Sequence, residues 1–437
     1  MFRSVVSSPD ALSSRRGFLR VGAAGLAGLT LDAALRAEEK DSGAAPLPPA
    51  RNVILLFLTG GPATIDMWDM KPDAPETIRG EFRPIETAAA GIQICEHMPR
   101  LAKALHLATL VRSLTHTIAE HDQGQRYLMS GNAPSPAAEN PSLGALASHL
   151  LRSRGGVPAY ATLGDVPAAA SGDLGAAFNP FAIPSIARSA EEQKGERIGL
   201  PDDFSRDDFS RRLRIRDRLD RRLSGDPSST DLPAELDRFH AEAVEILRSD
   251  KIHRALQVAE EPAAVREAYG ETDLGRQTLA ARRLVEAGAR FVTIGFGDWD
   301  THANNFSRLQ QSLLPQLDRA LAGLLTDLED RGLLRETIVY CTGEFGRTPG
   351  VNGNAGRDHW ARTMTSLVAG GGLRRGHVHG ATDAEGVEPI EGNCSPDDLS
   401  ATLFRQLGFL PSQTVTTRTG RPVLLFRRGT PIDGLRA

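Results

Sequence analysis

Continuous apolar runs, rather than alternating ones, mark the strands of this chain. "RNVILLFLTGG" (51–61) is apolar after its first residues and stops at two glycines. A strand reads this way when both of its faces are buried, as in a parallel sheet covered on each side. "HLATLVRSL" (106–114), "VPAYATLG" (157–164), "ARFVTIGF" (289–296), "ETIVYCTG" (336–343) and "MTSLVAGGG" (364–372) repeat the pattern. Between them the apolar spacing changes to that of a helix. "SLGALASHLLRS" (142–153), "LGRQTLAARRLVEAG" (274–288) and "FSRLQQSLLPQLDRALAGLLTDLEDRG" (306–332) are the clearest cases, with Pro315 a predicted kink in the last. Strands alternating with helices predict an α/β fold with a mostly parallel central sheet flanked by helices. Residues 185–262 break the rhythm with "FSRDDFSRRLRIRDRLDRRLSGD" and an amphipathic helical stretch after it. This span reads as a helical insertion on the surface of the sheet domain.

Composition narrows the function classes. The chain has 437 residues, 40% hydrophobic and 24% charged, which suits one large globular α/β domain. Its formal net charge is −4, and aspartates interleave the arginine run near residue 210, so a solvated, salt-bridged helix face is predicted there and no nucleic-acid partner. The three cysteines, Cys95, Cys341 and Cys394, are too sparse for a disulfide framework or a thiolate metal site. Cys341, inside "TIVYCTG", reads as a core residue.

The N-terminus reads as an address. "SRRGFLR" (14–20) precedes a short stretch rich in glycine and alanine. Paired arginines before such a segment form the twin-arginine export pattern. The expected layout is a signal peptide over 1–37, a linker over 38–50, and the α/β domain over 51–437. The partner during export is the twin-arginine translocase, the destination is the periplasm, and no membrane span remains after cleavage.

Ligands of open parallel sheets sit outside the carboxyl ends of the strands. The residues just past each apolar run are therefore the informative ones. The first run is followed by Asp66 and Asp69, and the second by His116, Glu120, His121 and Asp122. "ARFVTIGF" leads into "GDWDTHANN", with Asp298, Asp300 and His302. "ETIVYCT" leads into "GEFGRTPGVNGNAGRDHW", with Glu344, Arg347, Asp358 and His359. Asp300 and His302 are two apart, so an extended loop points both the same way. Carboxylates mixed with imidazoles suit a divalent cation and not a thiolate-loving one. The predicted ligands are Asp66, His116, His121, Asp300, His302, Glu344, Asp358 and His359, holding one or two ions of zinc, manganese, magnesium, calcium or iron. Arg126, Arg347 and Asn304 are the candidate contacts to an anionic oxygen of a small ester substrate.

Longer motifs add a resemblance. "FLTGGPATIDMWDMKPDAPETIRGEFRPI", "GIQICEHMPRLAKAL", "VRSLTH", "WDTH", "GEFGRTP", "GRDHW" and the twin-arginine leader together resemble the domain of unknown function 1501 family, from about residue 15 to the C-terminus. The resemblance implies a fold similar to the alkaline phosphatase and sulfatase superfamily, an α/β sandwich whose strand-end loops hold one or two metals. Within that pattern His121 stands where a sulfatase cysteine or a phosphatase serine or threonine would. Glu344 and Phe345 replace an Asp-His pair, and His359 matches the last histidine. The activity implied is hydrolysis of phosphate or sulfate esters by a metal-bound hydroxide. His121 serves as ligand or general base, Arg347 as a catalytic cation, and Thr115 or Thr117 as nucleophile if a covalent step persists. The alternative is a non-catalytic binding or assembly protein that retains the fold.

Overall fold

All seven residues of Asn52–Leu58 (β1) are buried. Ile54, Leu56 and Leu58 point into one hydrophobic cluster. Val53, Leu55 and Phe57 point into another on the opposite face. That is the two-residue period of a strand covered on both sides. The computed structural model describes residues 50–153, 155–186, 205–223 and 242–437. These belong to one compact unit, Pro48–Ala437. The predicted signal peptide and nearly all of the predicted linker lie outside the described residues.

Seven further strands complete the sheet. They are β2 (Ala108–Leu114), β3 (Tyr160–Leu163), β4 (Phe181–Ile183), β5 (Phe291–Phe296), β6 (Thr337–Thr342), β7 (Met364–Ala369) and β8 (His377–His379). Their order across the sheet is β8-β2-β7-β6-β1-β5-β3-β4. All six predicted runs are strands of this sheet, and β4 and β8 are added at its edges. β1 lies parallel between β5 and β6. Only β7 runs against its neighbours, β2 and β6. The remaining pairs are parallel. The loops leaving β1, β2, β5 and β6 therefore emerge at one edge, and the loop entering β7 reaches that same edge from the other direction.

Helices cover both faces. Among the described residues, α1 (Pro99–Ala104), α5 (Asp273–Ala287) and α6 (Leu314–Asp330) pack on the first face, and α2 (His121–Ser130), α3 (Leu143–Leu150) and α7 (Pro396–Gln406) on the second. In α6, Leu314, Leu317, Leu321, Leu324 and Leu328 make the buried stripe, spaced three and four apart. The expected kink is a five-residue π-helical stretch, Leu309–Leu313, just before Pro315. Pro315 has no N–H to donate back into that turn, so the ladder widens ahead of it. Cys95, Cys341 and Cys394 are free and buried.

Within the predicted insertion, α4 (Arg206–Leu223) is an 18-residue helix. Residues 224–241 lie outside the described residues. Near the end of the span, the helix Lys251–Leu256 buries Ile252 and Leu256 in the first core cluster.

Candidate metal centre

The site begins with a close approach of two backbones. After β1 the chain turns at Gly60 and Gly61, both at positive φ. A Cβ on Gly60 would lie 2.5 Å from the Asp300 nitrogen and 2.9 Å from the Trp299 carbonyl carbon. Only glycine lets the loop after β5 cross here. Trp299 is fully buried and stands edge-to-face on Phe296, with centroids 5.6 Å apart. It wedges the turn so that Asp298 is thrown into solvent while Asp300 turns back over the sheet edge. The side chain of Asp298 is 87% exposed.

Three histidines converge on Asp300. His302 Nε2 lies 3.0 Å and His359 Nε2 3.3 Å from Asp300 Oδ1. His121 Nε2 lies 3.5 Å from Asp300 Oδ2. Ligand atoms of His121, Asp300 and His359 all fall within 4.8 Å of one another. Each ring is held from behind through Nδ1. For His302 the acceptor is Asp358 Oδ1 at 2.6 Å, for His359 the Ala119 carbonyl at 2.9 Å, and for His121 Glu344 Oε1 at 2.8 Å. An oxygen acceptor at Nδ1 puts the ring proton there and leaves Nε2 a lone pair. The Nε2 atoms of His302 and His359 are then 3.0 Å apart with lone pairs facing each other and a carboxylate oxygen beside both. That arrangement calls for a positive charge between them, and its donor set fits a divalent cation.

Arg347 stands behind Asp300 rather than in front of it. Its Nε donates to the Gly61 carbonyl (2.6 Å), Nη1 to the Arg357 carbonyl (3.1 Å), and Nη2 to Asp300 Oδ1 (2.5 Å), Trp299 O (3.2 Å) and Gly60 O. The substrate contact and catalytic role expected of Arg347 give way to this inward binding, because each of its three nitrogens already donates to a protein acceptor and the side chain is 0% exposed. Partial burial works against the charge of Asp300. The Arg347 guanidinium, with His359 and His302, outweighs it and holds the carboxyl down at about 2.

Other expected ligands are placed elsewhere. Asp66 is buried against Arg357, with Oδ1 2.6 Å from Nη2 and Oδ2 2.7 Å from Nε. Asn305 donates to the same carboxylate at 2.8 Å. Its lone pairs are thus spent away from the histidines. His116 is also buried. Its Nδ1 accepts from Ile118 N–H (3.2 Å), so Nε2 donates to the Glu344 carbonyl (2.9 Å). Glu344 is fully buried, and its Oε1 takes Gly60 N–H (2.8 Å), His121 and Gln125 Nε2 (3.2 Å). Its Oε2 has no hydrogen-bond partner among the described residues. Asp358 touches His302 from outside. Arg126 is exposed and pairs with Asp122 one turn back on α2. Thr115 uses its backbone N–H on the Cys394 carbonyl, and its hydroxyl makes no hydrogen bond among the described residues. Asn304, at φ 54, opens the short helix after the site loop.

Two loops are tied together around the cluster. Asn304 and Asn305 donate backbone N–H to the carbonyls of Asn354 and Ala355, and Arg357 N–H donates to Thr301. The Asn352 side chain donates to the His302 carbonyl at 3.0 Å. Gly356 is needed here, since a Cβ would lie 2.0 Å from that carbonyl oxygen. Arg357 and Asn305 are the functional residues that sequence reading did not single out. The only signal for Arg357 was its place beside Asp358 and His359.

The buried His116 ring gives a pH prediction. Burial pulls it down to about 4, against its bond to the Glu344 carbonyl. As pH falls, the unfolded chain takes up this proton first, near 6.5, and the folded chain only near 4. Stability should therefore fall with pH between those values, by up to about 1.4 kcal/mol per unit. Urea midpoints measured from pH 7 to 4 should show that slope in the natural protein and lose it in His116→Gln. An identical slope in both would remove His116 as its source.

A family model described as "Protein of unknown function (DUF1501)" matches residues 50–436. No curated protein matches the chain in sequence. Among solved structures, the chain is similar to the PsFucS1 sulfatase from Pseudoalteromonas sp., at 13% identity over 86% of this chain and 70% of that one, with a TM-score of 0.37. It is also similar to the alkaline phosphatase of the Antarctic bacterium TAB5, at 12% identity over 83% and 99%, TM-score 0.32. A third is the phosphonate monoester hydrolase SpPMH from Silicibacter pomeroyi, at 12% identity over 87% and 78%, TM-score 0.33.

Proposed function

This chain belongs to the DUF1501 family, whose model spans residues 50–436, and we propose that it is an exported, metal-dependent hydrolase of phosphate or sulfate esters. The observation that supports the reading is the lone-pair arrangement. Three rings are pinned through Nδ1, and three Nε2 atoms turn toward one carboxylate. Asp300, His302 and His359 would hold the ion, with Asp358 and the Ala119 carbonyl fixing the two rings. Bound there, a divalent cation supplies Lewis acidity toward an ester oxygen and acidifies a water near neutral pH.

The chain's own residues do the rest. Arg347 keeps Asp300 ionised. Trp299 and Gly60 set the height of the Asp300 loop above β1. The cluster faces solvent, with Asp300 46% and His302 45% exposed, which leaves an approach for a small ester. The ester class itself comes from the sequence resemblance. Export rests on the twin-arginine leader, which lies outside the described residues. Among the described residues, no helix is long and apolar enough to cross a membrane.

The test is elemental analysis of the protein recovered from its own periplasm, followed by a panel of phosphate monoesters, diesters and aryl sulfates. Stoichiometric metal and turnover of one ester class are expected. A protein that carries no metal and turns over none of them returns the non-catalytic reading. A double Arg15→Lys, Arg16→Lys variant that is still exported would remove the address.

A further inference from the structure

His121 differs from the other two histidines in what stands behind it and in what its outer nitrogen does. His302 leans on Asp358, which is 55% exposed, and His359 on a neutral carbonyl. His121 leans on Glu344, a carboxylate at 0% exposure whose second oxygen has no hydrogen-bond partner among the described residues. Its Nε2 makes no hydrogen bond among the described residues and is the most distant of the three from Asp300. The ring is 32% exposed.

The helix that carries it is built to present it. His121 is the first residue of α2, and Glu120 caps that helix by taking the N–H groups of Asp122 (3.1 Å) and Gln123 (3.0 Å). His121, Gly124 and Gln125 share one helix face. Gly124 lets that face close on Glu344, where a Cβ would come within 3.3 Å of the Glu344 Cβ. Gln125 donates to the same Oε1 as His121. Phe345 lies beneath the ring, with centroids 5.1 Å apart. No freedom is left for the ring to turn Nδ1 outward without breaking its bond to Glu344.

A buried, incompletely paired carboxylate behind Nδ1–H stabilises positive charge on the ring. A ring gains such a charge when Nε2 forms a bond to an electrophile. We propose that His121 Nε2 is the covalent nucleophile of this site and that the substrate is a phosphate monoester, with a phosphohistidine intermediate. The proposal rests on the hydrolase reading above and adds the identity of the attacking atom. In the first step the Nε2 lone pair forms the N–P bond. The ester P–O bond breaks, and its electron pair leaves on the alcohol oxygen, which takes a proton from water. Nδ1–H stays on Glu344, so the phosphoimidazolium is balanced by a carboxylate already in place. In the second step a water oxygen attacks phosphorus, the N–P pair returns to Nε2, and the water proton goes to solvent. The sum is ester plus water to alcohol plus phosphate. Glu344 acts as a positioning residue and does not touch the substrate.

The decisive measurement is the stereochemical course at phosphorus. The full chain, loaded with metal, is given an aryl phosphate monoester made chiral with oxygen isotopes, and the transfer is followed to an acceptor alcohol. Two displacements retain configuration and one inverts it. Retention is expected. Inversion overturns the histidine nucleophile and leaves the hydrolase standing. Absence of turnover on any phosphate or sulfate ester overturns both. A second measurement separates nucleophile from ligand. His121→Gln should lose turnover by roughly a thousandfold or more while keeping its full metal content. A variant that loses its metal, or that keeps turnover within about tenfold, contradicts the assignment.

Discussion

His302→Ala should strip the metal from the protein, and Asp298→Ala should leave it in place. The two residues sit four positions apart in one loop but on opposite sides of the Trp299 wedge. His302 turns Nε2 inward to 3.0 Å from both Asp300 Oδ1 and His359 Nε2. Asp298 points into solvent, and its carboxylate lies 3.9 Å from the Arg308 guanidinium. Losing the partner that orients a ligand already weakens metal binding by about 10–100-fold. Losing the ligand itself should cost more than that. The apo variant would also forfeit whatever stability the ion lends the folded chain. Metal stoichiometry after dialysis against a weak chelator, with thermal melts alongside, checks this. Full metal content in His302→Ala would sink the proposed centre.

Asp66→Ala should cost folding stability rather than metal ligation. Asp66 and Arg357 form an ion pair with side chains 1% and 0% exposed. The remaining donors of Arg357 go to Ile78 (2.8 Å), Thr348 (3.1 Å) and Pro349 carbonyls, and its guanidinium stacks 5.7 Å from the Phe306 ring. Removing one partner strands a charge where water cannot reach it, at a cost of about 3–5 kcal/mol. Arg357→Ala should cost a similar amount for the same reason. The pair also reaches the site, since Asn305 bridges Asp66 to the Thr301 hydroxyl at 2.8 and 2.7 Å. Weaker metal binding should therefore follow as a secondary effect, through the loosened His302 loop. Urea denaturation of the apo forms separates the two effects. An Asp66→Ala chain as stable as the natural one, yet unable to hold metal, would make Asp66 a ligand after all.

The sheet was legible because its evidence is local. Six apolar residues in a row at 53–58 admit few interpretations, and the apolar run at 338–341 reads the same way. Direction was not legible. β7 is buried along its whole length, so "MTSLVAGGG" reads alike whether it runs with its neighbours or against them. The site was legible in outline, since strand ends supply ligands and the Asp300–His302 spacing points both side chains one way. What the sequence could not divide was Asp66 from Asp300, or His116 from His359. Each pair shares a residue type and a strand-end position. The outcome depends on partners far along the chain. Asp66 is claimed by an arginine 291 residues away, and His116 by a carbonyl 228 residues away. Arg347 looked like a substrate clamp for the same reason, because its true acceptors are the backbone carbonyls of Gly60 and Gly61 and the Asp300 carboxylate.

The backbone ties between residues 301–305 and 352–357 bear on how this site can change. Two loops joined by three main-chain hydrogen bonds and a glycine contact cannot drift independently in length or path. A graft of the Asp-Thr-His segment alone into another sheet would arrive without the surface that shapes it. The heritable piece is the pair, and in a chimera the two loops have to travel together.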